Sequence, residues 1–308
     1  MTRKRRHTKS TDMQLDVLVK TLMAIKDVDV ERSVNEDEIF AEDVRTWRDW
    51  YLKARSVKSD DRTRAALYYG FQALYDALLE DRVPSAIRTR SELMLDRIVG
   101  YARRFLGDLH TTGLEMDIGK NEKATKVRKQ IGKIETDAMA LDDAGVEFKR
   151  KTRFAENPSM NATHIQGFAV NYLKQYALSP NLDAELLAPQ AIIGCACGSF
   201  EIVQTLASLL DLQSGYIRYS PRRGDTEARM LPNQKGSIIA MIKNRNVLVV
   251  EDYVQTGGTL LQVMAEVEKY NPRSVVGASI GCKNPEKLPQ ELELGTASTT
   301  NFKIYTRN

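Results

Sequence analysis

Cysteine is scarce in this chain: three residues, Cys195, Cys197 and Cys282, among 308. An odd and sparse set argues against a disulfide framework and points to a reducing, cytoplasmic compartment. Long apolar runs are missing as well. None approaches the ~20 residues of a membrane span, and nothing resembles a signal peptide. Excess charge of one sign is lacking too. The 45 Lys and Arg nearly balance 41 Asp and Glu, and a net +4 is too small to imply a polyanion partner. What is present is a hydrophobic content of 42%, enough for a real core in one large or two ordinary domains.

Charge is unevenly spread. Residues 1–156 hold 31 Lys and Arg with 28 Asp and Glu; residues 157–308 hold 14 and 13. Both halves are near neutral, yet charge density halves at Glu156-Asn157-Pro158, while proline shifts the other way. Three regions are expected: a basic disordered tail (1–11), a helical domain (12–156) and an α/β domain (157–308). The tail, MTRKRRHTKS, carries five basic residues and no acid. It reads as a solvated arm or as a contact for nucleic acid.

From Asp12 to Phe154 apolar residues recur at helical spacing. Leu15, Leu18, Val19, Leu22 and Met23 form one stripe; Phe40, Val44, Trp47, Trp50, Tyr51 and Ala54 form another, with the two Trp on one face. Ala65 to Leu79 and the stretch after Pro84 continue the pattern, Pro84 fitting a helix start. The segment Lys120–Lys151 is highly charged with a thin stripe (Val127, Ile131, Ile134, Met139, Leu141) and reads as an exposed or partner-binding helix. Such a helical region suits packing against a protein partner or a second copy.

After Pro158 strands alternate with helices, which predicts a parallel, doubly wound sheet. A helix capped at Asn161 or Thr163 comes first. Strands are expected at Ala191–Ile193, Gly215–Tyr219, Ser237–Ile242, Val247–Val250, Ser274–Ile280 and Phe302–Thr306, with a helix from Phe200 to Leu210. The segment Asp225–Gly236 reads as a mobile polar loop.

The most informative stretch is Val247–Leu260, VLVVEDYVQTGGTL. Its continuous apolar run fits a strand buried on both faces. Glu251 and Asp252 then fall at the carboxyl end, where open α/β sheets bind ligands. Gly257 and Gly258 permit a tight turn, and the helix that follows aims its free N–H groups and positive dipole end at one spot, as phosphate sites do. Acids beside a phosphate cradle suit a ligand bearing both hydroxyls and phosphate. Gly194-Cys195-Ala196-Cys197-Gly198-Ser199 repeats the anion-site logic after an earlier strand. Its Cys-x-Cys pair has no further ligands nearby to make a zinc site, so small residues filling a crowded turn are the plainer reading. Arg218, Arg222 and Arg223 follow the next strand.

At these residues the chain resembles the type I phosphoribosyltransferases, whose signature is an apolar strand, two acids and a Thr-Gly-x-Thr loop. The resemblance covers roughly residues 160–308. It implies that Glu251 and Asp252 hold the ribose hydroxyls of phosphoribosyl pyrophosphate, and that Gln255, Thr256, Gly257, Gly258 and Thr259 hold its 5′-phosphate. It further implies that Cys195, Ala196, Cys197, Gly198 and Ser199 form the pyrophosphate loop, with Arg218, Arg222 and Arg223 neutralising the leaving group. Mg²⁺ would be held indirectly near Glu251 and Asp252, through the ligand's oxygens. Three positions depart from the pattern: Tyr253 and Gln255 are bulkier than usual, and Cys197 replaces a residue that is often basic. The implied activity is transfer of phosphoribosyl to a nitrogen nucleophile with release of pyrophosphate. The alternative is a non-catalytic sensor of a phosphoribosyl ligand, with the helical region as its effector.

Overall fold

The computed structural model describes residues 44–56, 60–112, 129–149, 165, 168–169, 172, 189–294 and 303–307. The basic start, the junction at Glu156 and the cap at Asn161 or Thr163 lie outside them. Among the described residues no helix is long and apolar enough to cross a membrane.

Ahead of the sheet the described residues include helices α1 (Trp47–Ser56), α2 (Asp60–Leu79), α3 (Ser85–Thr112) and α4 (Glu135–Asp143). The residues 47, 50, 51 and 54 of α1 are all fully buried, as their spacing predicts. Both indoles meet edge-on, with centroids 5.9 Å apart. Each also satisfies its N–H: Trp47 Nε1 donates to Val146 O and Trp50 Nε1 to Ala66 O, both at 2.9 Å. Burial of the indoles therefore leaves no donor stranded.

The charged segment after Lys120 behaves differently from expectation in its described part. Ile131, Ile134 and Leu141 are buried in the same cluster as the two Trp, so this is a core helix and not an exposed one. Asp142 adds a second role. Its carboxylate accepts from the N–H groups of Trp47 and Arg48 at 2.8 and 2.7 Å, capping α1 from a neighbouring helix.

The sheet comprises β1 (Ala191–Cys195), β2 (Gln213–Ile217), β3 (Asn246–Val254), β4 (Ser274–Cys282), β5 (Leu292–Leu294) and β6 (Lys303–Arg307). The order is β2-β1-β3-β4-β6-β5. The first four strands pair in parallel, and β6 and β5 close one edge antiparallel. Helices α5 (Phe200–Leu209), α6 (Pro232–Ile242) and α7 (Gly258–Glu268) connect them. Chain order reverses at β1, which has β2 on one side and β3 on the other. The crevice beyond the carboxyl ends of β1 and β3 is thus the topological switch point.

Two expectations are corrected here. Ser237–Ile242 is helical, the last part of α6, and not a strand. The Ile238-Ile239 pair imitates a strand, but Pro232 presets the first turn, and the buried residues Ile238, Met241 and Ile242 fall at helical spacing. For the same reason the polar stretch Asp225–Gly236 is not one open loop: α6 takes its end, and Arg229 pairs with Arg218 in an isolated bridge at its start.

Each face of the sheet is covered. Ile193, Val247 and Val249 pack with α6 and α7 residues on one side. On the other, Ile192, Leu248, Val276 and Ile304 join a continuous cluster that runs back to Trp47. Phe71 of α2 stacks on Phe200 of α5 with centroids 4.1 Å apart, and its ring lies 4.6 Å from that of Tyr216. The Tyr75 hydroxyl donates to Tyr216 O at 3.1 Å. Charge density marks a change of architecture along the chain; the packing joins the two architectures in one core.

Candidate active site

The site is built at the switch point from two turns and one strand. Strand β3 continues through the acids to Val254, so Glu251 and Asp252 are still in register, with Glu251 opposite Ser279 of β4. Successive strand residues face opposite ways. Glu251 accordingly lies with Cys195, whereas Asp252 turns to the loop that follows β1.

That loop and Asp252 approach very closely. A Cβ built on Gly198 would lie 2.6 Å from Asp252 Cγ and nearer still to Oδ2, so only glycine admits the carboxylate there. The turn itself is held from below. Ala196 N donates to Ile217 O at 2.9 Å, and the Ser199 hydroxyl donates to Cys195 O at 2.9 Å. Cys195, Cys197 and Ser199 are buried. Their side chains are turned inward, with the Ser199 hydroxyl bonded within the turn.

The second turn, after β3, places Gln255 and Thr256 at the surface. Gly257 has φ +79°, a left-handed conformation, and a Cβ there would also lie within 2.9–3.0 Å of Pro289, Leu288 and Leu292. It is the N-cap of α7 and offers no side chain to the first-turn N–H groups. Those donors, with the positive end of the helix, make an anion cradle.

Burial, and then the neighbouring Asp252, push the Glu251 carboxyl well above its ordinary range, while a hydrogen bond with Cys195 works the other way. Its Oε2 is buried without a hydrogen-bond partner. Burial and Glu251 together push the Cys195 thiol up, so it is a protonated filler and not a nucleophile. Asp252 Oδ1 accepts from the N–H of Tyr253 at 2.7 Å. The Tyr253 ring is 37% exposed and covers Gly281, which leaves an aromatic surface beside the acids.

The three arginines do not act together. Arg222 is exposed and reaches the second turn, donating to Gln255 Oε1 at 3.0 Å. Arg223 donates to Asp76 of α2. Arg218 is only 1% exposed and is enclosed by carboxylates. It donates to both oxygens of Asp225, and through Nη1 to Asp76 and Glu80, each at 3.0 Å. Of the residues picked from the sequence, the structure gathers the acids, both glycine turns and Arg222. It places Arg218 behind them. Sequence reasoning missed Asp76 and Glu80, which sit 142 and 138 residues from Arg218 and carry no local signal.

Among the described residues no group of three or more His, Cys, Asp or Glu side chains is arranged to hold a metal ion. Two adjacent acids suit the way Mg²⁺ usually binds, through one or two carboxylates, waters and substrate phosphates.

The fold is that of an α/β phosphoribosyltransferase-type domain, and the match to a family model agrees. Residues 162–294 match the family model of the phosphoribosyl transferase domain, so the C-terminal half of the chain carries that domain. A curated relative, phosphoribosyltransferase domain-containing protein 1 of Xenopus tropicalis, is 40% identical over 45 residues, 15% of this chain and 20% of the relative. Among solved structures, hypoxanthine phosphoribosyltransferase from Trypanosoma cruzi in complex with the product IMP is 26% identical. That alignment covers 31% of this chain and 52% of that one, with a TM-score of 0.26. A second structure of the Trypanosoma cruzi enzyme is 24% identical, covering 39% and 66%, with a TM-score of 0.28. The chain thus spans a fifth of the curated relative and about half of the first of these structures.

Proposed function

We propose that the protein is a phosphoribosyltransferase that transfers phosphoribosyl from phosphoribosyl pyrophosphate to a nitrogen nucleophile. The observation that carries this reading is the apposition of Asp252 and Gly198. It sets an acid of β3 against the loop 194–199, and the Gly257 turn follows the same strand, which supports one site for a ribose and its phosphates. Glu251 and Asp252 accept hydrogen bonds from the ribose hydroxyls. The turn Gln255–Thr259 and the first N–H groups of α7 hold the 5′-phosphate, and the loop 194–199 faces the pyrophosphate. Arg222, exposed beside Gln255, adds charge at the leaving group. When bound with the ligand, Mg²⁺ would neutralise pyrophosphate oxygens near Glu251 and Asp252.

The bond from C1 to the pyrophosphate oxygen breaks, and its electron pair leaves on pyrophosphate. The nucleophile's nitrogen bonds to C1 from the opposite face, and its proton passes to solvent. Positioning and charge stabilisation suffice, and no protein nucleophile is used. Gln255 titrates nowhere in the working range and takes no proton.

The test is calorimetry with phosphoribosyl pyrophosphate and Mg²⁺, followed by pyrophosphate release with a panel of nitrogen acceptors. Binding should be abolished in the double variant Glu251→Ala, Asp252→Ala, with the fold retained. Unchanged affinity in that variant would overturn the site. Binding without pyrophosphate release from any acceptor would instead identify a ligand sensor.

A further inference from the structure

We infer that Asp76, on helix α2 of the N-terminal half, is a positioning residue for pyrophosphate recognition. The inference rests on the phosphoribosyl reading above and assigns the helical half a part in it. Asp76 is fully buried, yet its partners lie in the α/β half. Oδ1 accepts from Arg218 Nη1 at 3.0 Å, and Oδ2 accepts from Arg223 Nη1. The Cys197 thiol donates to Oδ1 at 3.8 Å. One carboxylate therefore touches the loop after β1 and the turn after β2, which are the two elements that would flank a pyrophosphate.

The helix that carries Asp76 is fastened to the α/β half on both sides of it. Tyr75 donates to Tyr216 O at 3.1 Å, and Arg229 Nη2 donates to Leu79 O at 2.6 Å. Asp225 accepts from the main-chain N–H of Ser220 at 2.9 Å, so the turn Pro221–Arg223 starts from a fixed point. The roles of the two arginines then divide. Arg218 commits four of its five donors to Asp76, Glu80 and Asp225 and serves as the keystone of the turn. Arg223 is tied through one nitrogen. A guanidinium has five donors, so the rest of its fork remains for an incoming anion. A buried anion in low dielectric fixes a cation far more firmly than a surface carboxylate does. Replacing Asp76 with a neutral residue releases Arg223 and loosens the contact to Cys197, while Asp225 still neutralises Arg218.

The test uses the full chain and two probes that occupy different ends of the site: inorganic pyrophosphate with Mg²⁺, and ribose 5-phosphate. The wild type should bind both by calorimetry. Asp76→Asn should lose roughly tenfold or more in pyrophosphate affinity, the size of one charge-assisted hydrogen bond, and keep its affinity for ribose 5-phosphate. Arg223→Gln should show the same split, and the double variant should be no worse than Arg223→Gln alone. Should Asp76→Asn fail to fold, Arg223→Gln, on a short surface turn, carries the test. Equal loss of both probes in Asp76→Asn would make its role merely structural and overturn the proposal. Wild-type pyrophosphate affinity in folded Arg223→Gln would overturn it too. A wild type that binds neither probe overturns the phosphoribosyl reading itself, and does so before any variant is made.

Discussion

Replacing Gly198 with alanine isolates the geometry of the site from the stability of the fold. The new Cβ would meet Asp252 Cγ at 2.6 Å and Oδ1 at 2.9 Å, with Oδ2 nearer than either. Contacts between nonbonded heavy atoms are favourable only near about 3.5 Å, so the carboxylate must retreat by about 1 Å. Because all three of its atoms are too close, rotating one oxygen away does not relieve the contact. Retreat also strains the bond that Oδ1 accepts from Tyr253 N. The backbone raises no objection: Gly198 is not among the glycines with positive φ, and a compatible Gly→Ala change stabilises by about 0.4–1 kcal/mol through the unfolded chain. Asp252 is only half-buried and can move without opening the core. Thermal unfolding of Gly198→Ala should therefore stay close to wild type. Losing a hydrogen bond to a charged group costs about 1.5–3 kcal/mol, so affinity for phosphoribosyl pyrophosphate should fall by roughly ten- to a hundredfold. Calorimetry that finds wild-type affinity in a folded Gly198→Ala would refute the claim that this contact shapes the ligand site.

Two further outcomes are expected. The Glu251 carboxyl is raised by burial and by Asp252, so the folded state holds a proton that the unfolded state has released. Its contribution therefore turns unfavourable as pH rises above the ordinary value of about 4.3, and it is absent below that. Glu251→Gln removes this dependence. In the absence of ligand its melting temperature should exceed that of the wild type at pH 8 and converge with it near pH 4; parallel profiles would contradict the burial argument. The other concerns the acceptor. Gln255 lies exposed at the turn after β3, and an amide there cannot act as a base toward a 6-oxopurine ring. Steady-state assays should find hypoxanthine and guanine inert, whereas Gln255→Asp should gain purine turnover; efficient turnover by the wild type would show that the role given to Gln255 is mistaken.

What the sequence determined alone is what local chemistry dictates. Four apolar residues running into Glu251 and Asp252, followed by Thr-Gly-Gly-Thr, specify a buried strand, a tight turn and a helix N-terminus within fourteen residues. All the information for that unit is contiguous, and the α/β grammar around it was legible for the same reason. The stripe of Trp47, Trp50, Tyr51 and Ala54 foretold a core face because helical period and burial are tied along one element. Short segments misled where two periods compete, as at Ser237–Ile242, where a β-branched pair outweighed the helix-starting Pro232. The three-residue strand β5 was too short to show any period. Only the tertiary structure decided how the three cations are partnered. Arg218, Arg222 and Arg223 are equivalent in a sequence, but a buried guanidinium must be neutralised, and the available carboxylates come from wherever the chain packs. Asp76 and Glu80 arrive on α2, take Arg218 and hold Arg223, and leave Arg222 at the surface. No spacing rule reaches across the 142 residues between Asp76 and Arg218, because that pairing depends on how a helix docks against a sheet.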